Sequence, residues 1–307
     1  MDVEKFVQLT VNGVTLGSVY ALVALGFSMV YGILKLLNFA HGDVMMIGAF
    51  VGWGTLNWLG GAESPNVAVW VLIALLLLAA MLAGGVLGVV IERFAYRPLR
   101  TSPRIAPLIS ALGVSFFLQN SVLLLYGADF RSYDTDFLID LDRGIDWRVL
   151  HVWTVRLLVV AAAVAMMIGL MLLVERTKLG KAMRATSFDR EAAAMMGIDV
   201  DRVIAATFFI GSALAGAAGV LVGLVFFQIN HFMGFAYGLK GFTAAVVGGI
   251  GSIPGAMLGG LMIGLAEAYT VGYLTSSFKD VVVFSILIVF LLIRPQGILG
   301  RPDVSKV

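Results

Sequence analysis

The 307-residue sequence has no cysteine and few charged side chains. Without cysteine, neither a disulfide framework nor a thiolate metal site is possible. Only 13% of the residues are charged and 60% are hydrophobic, whereas a soluble domain usually has about 25% charged residues. The composition therefore predicts an integral membrane protein. The formal net charge of +2 is too small to indicate a nucleic-acid partner.

The sequence also lacks the common motifs of ATP binding and hydrolytic catalysis. No G-x-x-x-x-G-K-[ST] stretch occurs, and the glycine-rich "GGIGSIPG" has the wrong spacing and no lysine. There is no H-E-x-x-H pair and no G-x-S-x-G elbow, and His41, His151 and His231 are far apart in the sequence. We therefore predict that the chain is not an enzyme and binds no metal or cofactor itself. Any ATP must be bound by other subunits.

Apolar segments of membrane-spanning length occur along the whole chain. An α-helix needs roughly 20 apolar residues to cross the hydrocarbon core of a bilayer. The segments that approach this length are 9–34, 42–60, 68–91, 105–127, 152–174, 203–229, 241–274 and 279–293. The pattern predicts an all-α, polytopic bundle of about eight apolar segments in a single membrane domain, residues 1–307. The 36 glycines favour close contact between helices.

The charges between these segments predict the orientation of the chain. Residues 92–104 contain four arginines and one glutamate, so the positive-inside rule places this loop in the cytoplasm. Residues 128–151 contain six aspartates and three arginines, so we place this acidic loop outside. The same count puts Met1 outside and the loop 175–202 inside. It also requires an even number of crossings between Asn230 and Ser277, which predicts a broken or re-entrant hairpin there.

The loop 175–202 contains a short helix-forming motif. Glu191, Ala192 and Ala193 are followed by Gly197, as in the opening of the "EAA-x-x-x-G" signature of ABC importer permeases. The resemblance implies a short helix that docks on an ATPase subunit. The classical ending of the signature, Leu-Pro, is missing, and an ordinary surface helix also explains a Glu-Ala-Ala triplet, because both residue types favour helices.

Longer stretches resemble one family, the branched-chain amino-acid ABC permeases of the H type. They include "NGVTLGSVYALVALGFSMVYGILKLLNFAHGDVMMIGAF", "ERFAYRPLR", "ALGVSFFLQN", "GFTAAVVGGIGSIPGAMLGGLMIGLAEA" and "RPQGILGRPDVSKV". The resemblance covers nearly the whole chain and implies a multi-pass protein of the bacterial inner membrane. It implies that the chain imports leucine, isoleucine and valine by alternating access.

The same resemblance implies the partners of the chain. These are a second, related permease subunit, two cytoplasmic ATP-binding subunits and a periplasmic substrate-binding protein. The residues alone leave two other functions open: a urea or short-amide ABC permease, and an ion-coupled carrier that acts alone. The second would need an ionisable relay inside the membrane. Only Glu267 offers itself as such a group in the predicted spans.

Five residues are candidates for the substrate pathway: Asn38, Gly251, Pro254, Gly255 and Glu267. Pro254 disfavours a helix at Ile253, and Gly251 and Gly255 permit a reversal, so we expect a break in the hairpin there. A carboxylate in an apolar span, such as that of Glu267, is costly unless it has a role or a partner. The alternatives are close helix packing for the glycines, a helix cap or gate for Asn38, and, for Glu267, an anchor near the outer helix end that reaches solvent or pairs with a neighbouring cation.

Overall fold

The computed structural model describes residues 3–59, 69–103, 105–133, 145–147, 150–152 and 154–300. Its α-helices, in chain order, are α1 Val3–Leu34, α2 His41–Trp58, α3 Val69–Ile91, α4 Ile105–Tyr126, α5 Thr154–Arg176, α6 Lys178–Phe188, α7 Arg190–Met195, α8 Val200–Phe226, α9 Met233–Gly248, α10 Ile253–Tyr273 and α11 Lys279–Ile293. A π-helical turn, Glu92–Tyr96, and a 3-10 turn, Arg97–Leu99, extend α3. A second 3-10 turn, Ser276–Phe278, precedes α11. The predicted all-α fold is confirmed.

Seven of these helices are long and apolar enough to cross a membrane. They contain α1, α3, α4, α5, α8, α10 and α11, so the chain is a multi-pass membrane protein. The 18-residue α2 and the 16-residue α9 are not among the seven. Both nevertheless pack between the longer helices, and α9 forms one arm of the hairpin with α10.

The helices differ in how deeply they lie inside the bundle. In α1, 89% of the most apolar 18-residue stretch is buried within the chain, against 6% for the last span, Ser276–Ile293. A helix that is apolar on all sides belongs either in a core or against lipid. The central helix α1 packs along α10, α8 and α9, whereas α11 turns most of its surface outward.

Glycines allow α1 and α10 to meet backbone to backbone. A Cβ atom added at Gly17 would lie 2.7 Å from the Cα of Leu261, and one at Gly13 would lie 2.8 Å from the Cα of Leu265. Such distances leave no room for a side chain. The glycines of these segments therefore set the distance between the two helices, which is the packing that small residues provide in membranes.

The bundle has two ends with different charge. At one end, β1 (Arg131–Ser132) pairs antiparallel with β4 (Gln228–Ile229), next to the end of α4 and the start of α9; we call this the acidic-loop end. Strands β2 (Ile145–Trp147) and β3 (Leu150–Val152) form a second two-stranded ladder. Much of the predicted acidic loop, 128–151, lies outside the described residues.

The opposite end, which we call the arginine end, contains the turns after α3 together with α6 and α7. Here Arg97 and Arg100 form ion pairs with Asp201 at the start of α8, and Arg100 also pairs with Glu92. These contacts hold the loop after α3 against α8. The assignment of this end to the cytoplasm stays a prediction.

The region between Asn230 and Ser277 is a hairpin of two helices, α9 and α10, separated at residues 249–252. Its first arm starts at Met233, eight residues before the apolar segment 241–274 that we predicted. The preceding helix α8 correspondingly ends at Phe226 instead of 229. The shift places Lys240 in the middle of a helix, where the hydropathy of the sequence did not indicate one.

Candidate functional site

A cavity of about 370 Å³ lies between α1, α9, α10 and the start of α11. The part of α1 that lines it is the half near the N-terminus, and α9 contributes its first half. The cavity is therefore on the acidic-loop side of the bundle. Its lining contains apolar side chains, Leu9, Leu16, Phe226, Ala268 and Val271, and charged side chains, which we call the charged wall.

Lys240 is the centre of the charged wall. Its Nζ lies 2.7 Å from Oε1 of Glu267 on α10 and 3.0 Å from Oδ1 of Asp280 on α11. The side chain of Lys240 is only 9% exposed. The ammonium also lies 5.9 Å from the centre of the Tyr20 ring, within the range of a cation–π interaction. This buried cation thus connects α9, which carries it, to the three helices α1, α10 and α11.

Glu267 has a partner at each carboxylate oxygen. Oε1 accepts a hydrogen bond from Lys240, and Oε2 accepts one of 2.7 Å from the hydroxyl of Tyr20 on α1. Burying a carboxylate is costly unless it is paired and hydrogen-bonded. Both conditions hold here: the side chain is 7% exposed and pairs with a cation instead of reaching solvent.

Asp280 differs from Glu267 in its exposure. Its side chain is 54% exposed, and it lies in the first turn of α11, where a negative charge is favourable. Together with Lys279, the cavity wall holds two basic and two acidic side chains. The formal charge of the wall is therefore balanced, and the four charges come from three helices, α9, α10 and α11.

The other four predicted pathway residues lie away from this cavity. Gly251, Pro254 and Gly255 are at the break between α9 and α10, and Asn38 is in the loop between α1 and α2. The break is at the arginine end, because the amide of Gly251 donates a 2.8 Å hydrogen bond to Ser28 in the second half of α1. The structure thus brings only Glu267 of the five into the cavity.

The reversal of the hairpin depends on two glycines with positive φ. Gly249 has φ 110° and Gly251 has φ 89°, values that L-residues rarely adopt. Gly255 is instead helical, and its role is close contact, since a Cβ there would lie 3.0 Å from the carbonyl carbon of Gly248. The expectation that Gly255 itself makes the turn is therefore wrong. Pro254 occupies the first turn of α10, where a proline is tolerated.

The segment after α11 covers the end of α9. The amides of Ile298 and Leu299 donate 2.9 Å hydrogen bonds to the carbonyls of Val247 and Gly248. The last carbonyls of a helix have no partner within the helix. The chain after α11 supplies those partners, so the break is tied to the arginine end.

Asn38 holds the loop between α1 and α2 in place. Its side-chain oxygen accepts a hydrogen bond of 3.2 Å from the amide of Ala40 and lies 3.3 Å from the hydroxyl of Tyr96. The same hydroxyl lies 2.9 Å from the carbonyl of Leu37. Asn38 is 1% exposed, and these contacts tie the loop to the turn after α3.

The predicted coupling residues form a short helix with defined ends. Helix α7 starts after Asp189, whose side chain accepts hydrogen bonds from the amides of Glu191 and Ala192. It ends at Met195, and Gly197 follows with φ 81°. The amide of Gly197 bonds to the carbonyl of Ala194, and that of Ile198 bonds to Ala193, which is the Schellman pattern of a helix C-terminus.

Helix α7 has one attached face and one open face. Ala193 is 4% exposed, whereas Met195 and Met196 are each 82% exposed. On the attached side, the guanidinium of Arg190 donates hydrogen bonds of 2.6 and 3.2 Å to the carbonyl of Ile33 near the end of α1. Burial lowers the pKa of Arg190, and the nearby charge of Arg100 lowers it further.

Three residues of the cavity were missed from the sequence. Lys240 lies just before the predicted apolar segment, and Asp280 lies at the start of the last one, so both resembled boundary charges. Tyr20 is an aromatic residue inside an apolar helix and has no polar motif around it. The available signal was the presence of two opposite charges, at 240 and 267, within one predicted hairpin region.

Comparison with known proteins gives a consistent result over the whole chain. Residues 9–291 match the model of the family described as branched-chain amino acid transport system / permease component. The chain is 46% identical to the high-affinity branched-chain amino acid transport system permease protein LivH of Escherichia coli (strain K12), with 98% of each chain covered. It is 44% identical to the corresponding permease protein BraD of Pseudomonas aeruginosa, over 100% of this chain and 99% of that relative. No solved structure matches the chain.

Proposed function

This chain belongs to the family of permease components of branched-chain amino acid transport systems, and we propose that it is one of two membrane subunits of an ABC importer for leucine, isoleucine and valine. The observation that supports the proposal best is the family match over residues 9–291. That range includes both the cavity and helix α7. Relatives named as high-affinity branched-chain amino acid permeases are similar over nearly the same length.

The proposed assembly supplies the energy that the chain does not. It consists of this chain, a second related permease, two cytoplasmic ATP-binding subunits and a periplasmic substrate-binding protein, in the bacterial inner membrane. The open face of α7, with Met195 and Met196, is apolar and accessible, and exposed methionines suit contact with a partner. We propose that α7, with Glu191, Ala192, Ala193 and Gly197, docks on an ATP-binding subunit.

We propose that the translocation route starts at the cavity and leaves at the arginine end. Glu267 lies in the wall of the cavity, and Asn38, Gly251, Pro254 and Gly255 lie near the opposite mouth. Backbone amides and carbonyls that lose their helical partners at a helix break are tolerated within the membrane where protein or water forms hydrogen bonds with them. Here Ser28 and the segment after α11 do so.

Helix α1 links the two ends physically. Arg190 of the segment before α8 bonds to the carbonyl of Ile33 at one end of α1, and Tyr20 of α1 bonds to Glu267 in the cavity. A movement of α7 on its ATP-binding partner would be transmitted to α1 through Arg190. We propose this path for the coupling of hydrolysis to opening and closing of the cavity.

The function is tested with the assembled complex. A tagged form of the chain, purified from its own membranes, should bring two ATP-binding chains and a second permease with it. Proteoliposomes of this complex with the binding protein should accumulate L-[14C]leucine only with ATP, and a proton uncoupler should have no effect. Uptake driven by an ion gradient without ATP would instead identify an ion-coupled carrier, and competition by urea but not by isoleucine would identify an amide permease.

A further inference from the structure

Lys240 has one partner that is fixed and one that can be exchanged. Glu267 is 7% exposed and uses both carboxylate oxygens, for Lys240 and for Tyr20. Asp280 is 54% exposed and lies at a longer distance from Nζ, 3.0 Å against 2.7 Å. A pair with a half-exposed partner is weakened by solvent. A ligand that enters the cavity can therefore replace Asp280 at Lys240, but it cannot easily replace Glu267.

The balanced charge of the cavity favours a ligand that is itself neutral overall. Two basic and two acidic side chains line it. A simple anion or cation would leave one of these charges without compensation, which is unfavourable where the charged partner is buried, as Lys240 is. A zwitterion has a carboxylate for Lys240 and an ammonium for Asp280, so it separates that ion pair and forms two pairs in its place.

The cavity also has apolar side chains close to its charged ones. Leu16 of α1 and Ala268 and Val271 of α10 lie on the same two helices as Tyr20 and Glu267. An α-amino acid holds its two charges at one end and its side chain at the other. Binding of the charged end at Lys240 therefore directs an aliphatic side chain toward apolar surface, where its burial is favourable.

From this geometry we infer that the cavity is a recognition site for an α-amino acid zwitterion with an aliphatic side chain. Lys240 binds the carboxylate and Asp280 binds the ammonium. Glu267 is a positioning residue, since it holds Lys240 at the cavity wall and does not touch the ligand. The inference rests on the proposed function, and it adds the groups that recognise the substrate within the permease itself.

The test measures binding of three small molecules to the purified permease complex, without its binding protein, by saturation-transfer NMR titration. The probes are L-leucine, 4-methylpentanoate, which has only the carboxylate, and 3-methylbutylamine, which has only the ammonium. Charge-assisted hydrogen bonds are strong enough that each missing charge should weaken binding roughly tenfold or more. Leucine should therefore bind the wild-type complex more tightly than either analogue.

Two variants assign the charges to residues. The Asp280→Asn variant should bind leucine only about as tightly as it binds 4-methylpentanoate. Its affinity for 4-methylpentanoate should be no lower than that of the wild-type complex. The double variant Lys240→Met with Glu267→Gln should bind leucine only about as tightly as it binds 3-methylbutylamine. The double variant removes both members of the buried pair, so that no buried charge is left unpaired. Asp129→Asn is the matched control, because Asp129 is exposed at the same end and outside the cavity.

The outcomes separate the site from the function. If the wild-type complex takes up leucine with ATP but both variants bind leucine as the wild type does, the site is wrong and the proposed function stands. The site is also wrong if Asp280→Asn weakens the binding of leucine and that of 4-methylpentanoate equally, because such a result would indicate a general structural effect. If the complete wild-type complex does not transport branched-chain amino acids, the proposed function fails and the inference fails with it.

Discussion

Two ion pairs at opposite ends of the bundle, Lys240–Glu267 and Arg97–Asp201, lie in different surroundings. In the cavity, the side chains of Lys240 and Glu267 are 9% and 7% exposed, whereas at the arginine end those of Arg97 and Asp201 are both 46% exposed. Removal of one partner from a buried pair leaves a charge without compensation, but solvent screens an exposed pair. The buried pair therefore fixes the shape of the cavity, and the exposed pair can rearrange at low cost.

Removal of Lys240 alone should have the largest effect on stability. Lys240→Met leaves the carboxylate of Glu267 buried with only Tyr20, so we expect a loss of about 3–5 kcal/mol in the free energy of unfolding. Thermal unfolding in detergent measures this loss. The double variant Lys240→Met with Glu267→Gln should regain most of it, and a single variant as stable as the wild type would contradict the buried pair.

Substitution at Gly197 should separate stability from coupling. Gly197→Glu places a side chain in the left-handed region, which costs about 1–2 kcal/mol, but a Cβ there meets no atom within 4 Å. We expect the variant to insert into the membrane and to lose uptake or release the ATP-binding subunits. Gly197→Asn, which tolerates this backbone conformation better, is the control. Normal substrate-stimulated hydrolysis and uptake in the glutamate variant would count against docking at α7.

The hairpin break should show a smaller effect that depends on backbone conformation. Gly251→Ala should cost about 1–2 kcal/mol because of its positive φ, although the added Cβ would lie at an ordinary 3.7 Å from Gly32. Gly251→Asn should cost less, because asparagine adopts a positive φ more readily than alanine does. Thermal unfolding of both variants checks this order, and equal stability of alanine and glycine at this position would argue against the observed turn.

The exposed pair at the arginine end should show the smallest effect. Asp201→Asn removes the partner of Arg97 and one of the two partners of Arg100, but Arg100 keeps its contact with Glu92. We expect the free energy of unfolding to change by less than about 1 kcal/mol, as measured by thermal unfolding at low and high salt. A loss as large as that of Lys240→Met would remove the contrast between the two ends.

Much of the fold could be predicted from the sequence, because hydropathy and local backbone signals act over short distances. The long apolar runs located the spans, and the glycines and proline of residues 248–255 located the break in the hairpin. Helix α7 could be predicted because Glu191, Ala192 and Ala193 favour a helix and Gly197 favours its end.

The cavity could be predicted only in part, because its chemistry depends on contacts between distant helices. Glu267 stood out as a carboxylate in an apolar span, but its partners at 20 and 240 come from two other helices. Lys240 was hidden because the first arm of the hairpin, with tyrosine and several glycines, is less apolar than the spans around it. Gly251 and Pro254 matched a helix break correctly, yet sequence could not place that break at the end of the bundle opposite the cavity.

We propose that ATP used at the arginine end drives uptake of an amino acid that enters at the acidic-loop end. It is tested most directly in proteoliposomes in which the complex has one known orientation, with L-[14C]leucine and the binding protein on one side and ATP on the other. We expect labelled leucine to accumulate across the membrane only when leucine is on the acidic-loop side and ATP is on the arginine side. Accumulation with the two sides reversed, or without ATP, would contradict this proposal.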